Sequence, residues 1–317
     1  MKRAFIGLIL KVSGNVNADM GVGTRIPLKK IYTWNQEVKA FVSARCIRRC
    51  IRERLYEKGE KIDGLMLIGK RERQLGDIGD PIEYIDDDLF GFMVPEAIPR
   101  KRYSPIKISH LISLTHTEIK PEFAARFPRE FIPDAPKEYP VPFEIEVAEW
   151  LGRLDVIVSD RIGVFEEDEL KDEQKNKLNK IGNKYFIDNN TRRERLKKFL
   201  EILLWEGWQF PRAAQSPSVP EFYHSIIALT ESFVPIFGCI NVEKEGKLPK
   251  EVIEKITGLY GKLIDKMFVL DYKGGEYIKF EKTGEETLQE EDKQVLNADN
   301  ITKIIEEICE YVVFSQK

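Results

Sequence analysis

The chain is predicted to have an α+β fold with a β-α-β-β-α-β core of the ferredoxin-like (RRM-type) kind, carrying large additions. Two observations predict it. A strand-like apolar run near the start is followed by an amphipathic helix, then by two strand regions, a second amphipathic helix and a late apolar strand region. Between these elements lie stretches rich in charge, glycine or proline that break both periodicities. The chain has 317 residues, 42% hydrophobic and 10% aromatic, enough for such a core with insertions, and disorder of the whole chain is not expected.

Ala4–Val12 is a strand by its continuous apolar, β-branched run. With Lys2 and Arg3 before it, the run imitates a signal peptide but lacks a small-residue cleavage site, so a cytoplasmic protein is expected. No stretch of about 18 apolar residues occurs, and no membrane span is expected. Ser13–Lys30 is a loop broken by Gly14, Gly21, Gly23 and Pro27. Its Gly21-Val22-Gly23-Thr24 lacks the spacing of a phosphate-binding loop. Val38–Val42 is a short strand leading into the helix Ser43–Lys58, with Ser43 as N-cap. Glu60–Lys101 is rich in charge and glycine and reads as a partly exposed insertion. Within it, Asp86, Asp87 and Asp88 are consecutive, so their carboxylates point apart. The following Leu89–Met93 looks like a packing anchor, and a structural role is preferred to a metal site.

Ile106–Thr115 alternates as a strand. Six prolines between Pro121 and Pro142 make an irregular connection. Phe143–Val147 and Leu154–Val158 are read as two strands joined through Ala148–Arg153. Glu166–Lys180 is a solvated helix or loop. Arg192–Gly207 is an amphipathic helix burying Leu196, Phe199, Leu200, Leu203 and Leu204. Trp208–Phe222 is a proline-punctuated loop. Ser225–Val242 is apolar again, Val252–Met267 is a helix, a hairpin turns at Gly274-Gly275, and Ile301–Val313 closes the chain as a helix.

The net charge of −3 hides an asymmetry. Residues 1–59 hold 13 basic and 4 acidic residues, and residues 281–311 hold 3 basic and 10 acidic ones, so a polarised surface is expected. On the first helix, Arg45, Arg48, Arg49 and Arg52 fall within a sector of roughly 100°. Ala44, Ile47, Cys50, Ile51 and Leu55 take the opposite side. Repulsion within the arginine face is relieved when an anion sits on it, and only Glu53 and Glu57 are at hand to pair.

The four cysteines include no C-x-x-C pair, so neither zinc nor disulfides are expected, and no cofactor is implied. His110, His116 and His224 are far apart, and no nucleophile–base arrangement can be nominated. Asp19, in the loop beside the arginines, is the one acid singled out. It is read as a loop hydrogen-bonding residue in preference to a general acid/base or a metal ligand for phosphodiester cleavage. No enzyme class emerges.

Several of these residues carry a family resemblance. They are Asn15, Asn17, Gly21 and Gly23 after the first strand, and Ser43, Ile47, Arg48, Arg49 and Arg52 on the helix. Asp88–Met93, Arg102–Ser109, Ser159–Phe165, Phe210–Gln215, Pro220–Phe222 and Val234–Phe237 extend it. In that order the chain resembles the backbone subunit of the CRISPR Cascade complex (the Cas-seven family), in the DevR-like branch of type I-B and related systems. The resemblance runs from about Phe5 to Phe237. It implies an RRM-like palm (1–59 and 102–317), a finger insertion (60–101) and a thumb loop near 207–220. It also implies copies lined head to tail along a CRISPR RNA, with other Cascade subunits and, through the guide, target DNA as partners. Contacts to RNA are then expected from Arg45, Arg48, Arg49 and Arg52, with Ser43 capping their helix. Arg25, Lys29 and Lys30 would support them. Asn15 and Asn17 would reach sugar or phosphate, and Arg212 and Gln215 would serve the thumb. Arg45 departs from the family, where glutamine is common. The resemblance implies no catalysis. Two other readings stay open: a type III-like subunit that cuts RNA with Asp19 and a divalent metal, and a DNA-binding autoregulator, for which no helix-turn-helix pattern is found.

Overall fold

Strand β1 (Arg3–Gly14) is buried along most of its length on both faces, which is why its sequence reads as an unbroken apolar run. A computed structural model describes the chain except residues 17, 19, 20, 22, 69–73, 96–98, 126, 137, 212–216, 285, 286 and 315–317, and the side chains of Thr283 and Thr287. After β1 come β2 (Lys30–Tyr32), β3 (Val38–Val42), α1 (Ala44–Glu57), α2 (Ile85–Phe90), β4 (Ile106–Ile108), β5 (Leu111–Ser113) and β6 (Lys120–Ala125). They are followed by β7 (Pro142–Ser159), α3 (Asn189–Glu201), β8 (Glu221–Thr230), α4 (Lys250–Tyr260), β9 (Lys266–Asp271), β10 (Glu276–Thr283) and α5 (Ala298–Val313).

The main sheet runs β10–β9–β8–β1–β7–β5–β3–β2, each neighbour antiparallel to the next. β4 continues the edge that β5 forms, pairing with Val156–Val158 of β7. The chain leaves β1, passes through α1, and returns on the far side of β7. It leaves β7, passes through α3, and returns as β8 on the far side of β1. Ala4, Ile6, Leu8 and Leu10 of β1 join one core with α1, α3 and α5. Phe5 and Ile9 join a second core with Val252 and Ile256 of α4 on the opposite face. Gly7 faces that second core so closely that a Cβ would lie 2.3 Å from Ile240 Cδ1. On α1 the buried set is Ile47, Cys50, Ile51 and Leu55, as the periodicity predicts. Burying the three large aliphatics stabilises the docked helix by roughly 6 kcal/mol.

Several elements differ from expectation. The two strands read at Phe143–Val147 and Leu154–Val158 are one strand, β7, paired with β1 without a break from Ala148 to Ser159. Gly152 does not interrupt it, because its missing side chain seats the Trp150 ring. Part of the proline-rich connection is β6, which pairs only with the start of β7, and an edge strand tolerates Pro121. This arm displays Phe123, Phe127, Phe131 and Tyr139 to solvent. The helix expected over Arg192–Gly207 starts earlier, at Asn189, and its last turn, Ile202–Glu206, widens to a π-helix ended by Gly207 at φ 75°. Trp208 and Phe210, read as loop, are core residues. The helix expected over Val252–Met267 stops at Tyr260, because Met267 to Leu270 are buried in β9 between β8 and β10.

The insertion at 60–101 is only partly exposed: all six residues of α2 are buried. The three consecutive aspartates of α2 are structural. Asp86 accepts from Arg52 and from the Asp63 N–H, and Asp87 accepts from the Asp80 N–H. Asp88 accepts from Arg102, Arg195 and the Gly163 N–H. Within Glu166–Lys180, Glu169 is buried and paired with Arg102 and Arg161, so that stretch is anchored rather than simply solvated. Among the described residues no helix is long and apolar enough to cross a membrane.

Candidate nucleic-acid interface

The first turn of α1 is capped twice. Ser43 Oγ accepts the Cys46 N–H at 3.2 Å, and His110 Nδ1 accepts the Ala44 N–H at 2.8 Å. The Ser43 cap is the one the sequence predicts, whereas the His110 cap comes from across the chain and has no local signal. These caps fix where the arginines of α1 project.

The four arginines fall into two classes. Arg49 Nε bonds Glu53 at 2.8 Å, an exposed pair one turn along the helix. Arg52 Nε bonds the buried carboxylate of Asp86 at 2.7 Å, and its guanidinium lies 5.1 Å from the Phe90 ring. Arg45 is exposed and has no ion-pair or hydrogen-bond partner among the described residues. Arg48 is half-buried, and its Nε is buried without a hydrogen-bond partner. Burial, and then the charges of Arg52 and Arg45, pull the Arg48 guanidinium below its ordinary pKa. Arg48 is thus a cation short of acceptors, which an anion would satisfy.

The supporting basic residues are arranged around a buried acid that sequence reading missed. Glu146, on β7, accepts from Lys30 Nζ at 2.9 Å, Arg25 Nη2 at 2.7 Å and the Leu28 N–H at 2.9 Å. Asn15 is buried, and its side chain donates to the Glu146 carbonyl at 2.6 Å. Arg25, Lys30 and Asn15 therefore anchor the loop after β1. Lys29 has no such partner among the described residues. After the hydrogen bond from Cys50, Lys29 and Arg49 favour the Cys46 thiolate on α1, which lowers that thiol's pKa. Parity was the signal for Glu146: it shares the inward face of β7 with Ala148, Trp150 and Leu154. Asn17, Asp19, Arg212 and Gln215 lie outside the described residues.

Fold and site together define an α+β protein built on a large antiparallel sheet, with an incompletely neutralised cationic face on its first helix. The family model of the CRISPR-associated negative auto-regulator DevR/Csa2 matches residues 29–251, and the chain belongs to that family. No curated protein matches the chain. Among solved structures it is similar to a chain of a "CRISPR RNA-guided surveillance complex, pre-nicking", with 11% identity and a TM-score of 0.57, covering 96% of this chain and 100% of that one. A chain of a "CRISPR RNA-guided surveillance complex" is similar at 14% identity and a TM-score of 0.45, over 80% of each chain. The first likeness is one of fold.

Proposed function

We propose that this chain is a non-catalytic, guide-RNA-binding backbone subunit of a type I CRISPR surveillance complex (Cascade), of the I-B or a related kind. It works in the cytoplasm, with copies arranged head to tail along the RNA beside other subunits, and presents the guide's bases to target DNA. Family membership and the fold of the surveillance-complex chain support the reading. The strand order β8–β1–β7–β5, with α1 and α3 as crossovers on one face, supports an RRM-type palm. Residues 60–101 are its finger, rooted by α2, and the thumb is near 207–220.

One observation carries the proposal: Arg45 and Arg48 stand on one face of a doubly capped helix without an acid among the described residues. A guide must be held by its phosphates so that any spacer sequence is accepted and its bases stay free. Guanidinium groups suit phosphate oxygens. Lys29 adds charge beside them, Arg49 joins by exchanging Glu53 for phosphate, and Arg52 fixes the helix to α2.

The test is the double variant Arg45→Ala/Arg48→Ala, expressed with its neighbouring subunits. RNA copurifying with it should fall sharply. The slope of log K against log salt should flatten by about 1.4, for two single-strand phosphate contacts. A folded double variant with unchanged RNA content refutes the assignment.

A further inference from the structure

Of the four cysteines, Cys50, Cys239 and Cys309 are buried, and Cys46 is half-buried. Cys46 and Cys50 stand one turn apart on α1. Cys46 lies in the first turn, its N–H capped by Ser43, and Cys50 belongs to the core beneath. The two thiols are hydrogen-bonded to each other. The pair is therefore a dithiol whose outer member meets solvent.

The spacing selects what can join the two sulfurs. Side chains four residues apart on a helix have Cβ atoms about 5–6 Å apart. A disulfide needs about 3.5–4.5 Å, so the helix would have to unwind to form one. A single atom bonded to both sulfurs spans the gap with two bonds of about 2.3 Å. Zinc would need further ligands, and among the described residues no group of three or more His, Cys, Asp and Glu side chains could hold a metal. Glu53, the acid whose charge reaches the pair, is engaged with Arg49. Hard cations prefer oxygen ligands. The ligand class that fits is a soft cation held by two thiolates, as copper(I) can be.

The charge around the pair suits that product. A monovalent cation on two thiolates leaves one net negative charge. Lys29 and Arg49 favour negative charge at Cys46, and the first turn of a helix does the same. Glu53 opposes it, but its carboxylate is neutralised by Arg49. The negative charge would then stand on the same helix as Arg45 and Arg48, where it would meet any polyanion drawn to them.

We propose that Cys46 and Cys50 form a two-thiolate site for one soft monovalent cation, of the copper(I) kind, and that the filled site opposes RNA on the arginine face. No electron is transferred: two S–H bonds break, two metal–sulfur bonds form, and the two protons leave to solvent. The effect on RNA rests on the reading of α1 as the phosphate-gripping helix, whereas the cation site does not. The coupling is reciprocal, so bound RNA weakens the cation by the same factor.

The test titrates the reduced, full-length protein with silver(I), a soft monovalent cation that needs no reductant, and follows binding by calorimetry. Wild type should take up one cation tightly. Cys46→Ser and Cys50→Ser should each weaken it by about a hundredfold or more, because each removes one arm of the chelate. Cys46 is half-buried, so Cys46→Ser keeps the core intact and decides the matter even where Cys50→Ser fails to fold. No saturable binding by wild type, or equal affinity in Cys46→Ser, overturns the site. An oligouridylate should bind silver-loaded wild type several-fold more weakly than the free protein, and should bind Cys46→Ser equally with and without silver. Unchanged RNA affinity on loaded wild type overturns the coupling. RNA copurification with Arg45→Ala/Arg48→Ala separates the two readings. If that variant keeps its RNA while silver still distinguishes wild type from Cys46→Ser, the backbone assignment falls and the cation site stands.

Discussion

Replacing Glu146 by Gln exchanges one carboxylate oxygen for an amide and leaves the side chain's size unchanged. Glu146 is 2% exposed and holds three donors of the loop that follows β1. The Arg25 and Lys30 side chains are 53% and 31% exposed, so water screens both pairs, and each contributes about 0.5 kcal/mol. The Leu28 N–H bond is buried, and losing its charge assistance costs about 1 kcal/mol. The new amide N–H group faces donors, and leaving it unsatisfied costs about 1 kcal/mol more. The sum is about 3 kcal/mol. A chain of 317 residues has an unfolding entropy of about 0.7 kcal/mol/K, so the melting temperature should fall by about 4 °C.

The same substitution makes a pH test. Burial is the largest influence on the Glu146 carboxyl and opposes its charge, but Lys30, the Leu28 N–H and Arg25 outweigh it and hold the pKa below the ordinary glutamate range. A depressed folded pKa gives stability that is present above the unfolded value, about 4.3, and lost as pH falls through the lower folded value. The wild-type advantage should be full at neutral pH and shrink in acid. Thermal melts of both proteins at neutral pH and near pH 3.5 measure it. A difference under about 1 °C at neutral pH, or one that persists unchanged in acid, refutes Glu146 as the loop's anchor.

Four further outcomes follow from the packing and charge of particular residues. Arg52→Ala should destabilise the fold by about 2 kcal/mol, because buried Asp86 keeps only the Asp63 N–H, and a denaturant titration equal to wild type would show that Arg52 has no structural role. Burial, then Asp63 and Asp86, push the Asp87 carboxyl up to about 8, so the native state retains a proton that the unfolded chain releases above pH 4. Stability supplied by that proton falls as pH rises toward 8, and Asp87→Asn should melt above wild type at pH 8.5 with the gap closing toward pH 4; melts across that range check it. Gly91 has φ 74°, and a Cβ there would lie 2.2 Å from the Arg102 carbonyl, so Gly91→Ala should lose on the order of 4 kcal/mol. Gly59 has φ 85° but open space around it, so Gly59→Ala should lose only about 1 kcal/mol in the same denaturant titration.

The helix α1, its cap and its buried face were legible because 3.6-residue periodicity and capping are local properties. β1 was legible as an apolar run, and the hairpin at Gly274-Gly275 by its turn chemistry. The single strand β7 was not, since Gly152 and Trp150 look like a break until the ring is seen folded over the glycine. The end of α4 was not, because Met267 continues a helical pattern locally and is claimed by β9 through two flanking strands. For the site, the arginine face was legible as a cluster, but not its division. That division depends on Glu53 and Asp86, and only Glu53 is near in sequence.

The division of the arginine face ties the insertion to the interface. Each aspartate of α2 turns to a different part of the chain: Asp86 to Arg52 of α1, Asp87 to the Asp80 backbone, and Asp88 to Arg102 and to Arg195 of α3. With a shared buried cluster of this kind, removing one partner leaves charge stranded and perturbs the others together. Arg52 is therefore a structural cation within a cationic face, and it fixes the rotation of α1 about its axis. That rotation sets where the exposed Arg45 and the half-buried Arg48 guanidinium project. Conservative replacement of Arg52 by Lys keeps the charge but not the planar contact with Phe90, so it should recover part of the stability and less of the RNA affinity. If Arg52→Lys restores stability and RNA retention equally, α1 is held by charge alone, and the α2 insertion has no part in aiming Arg45 and Arg48.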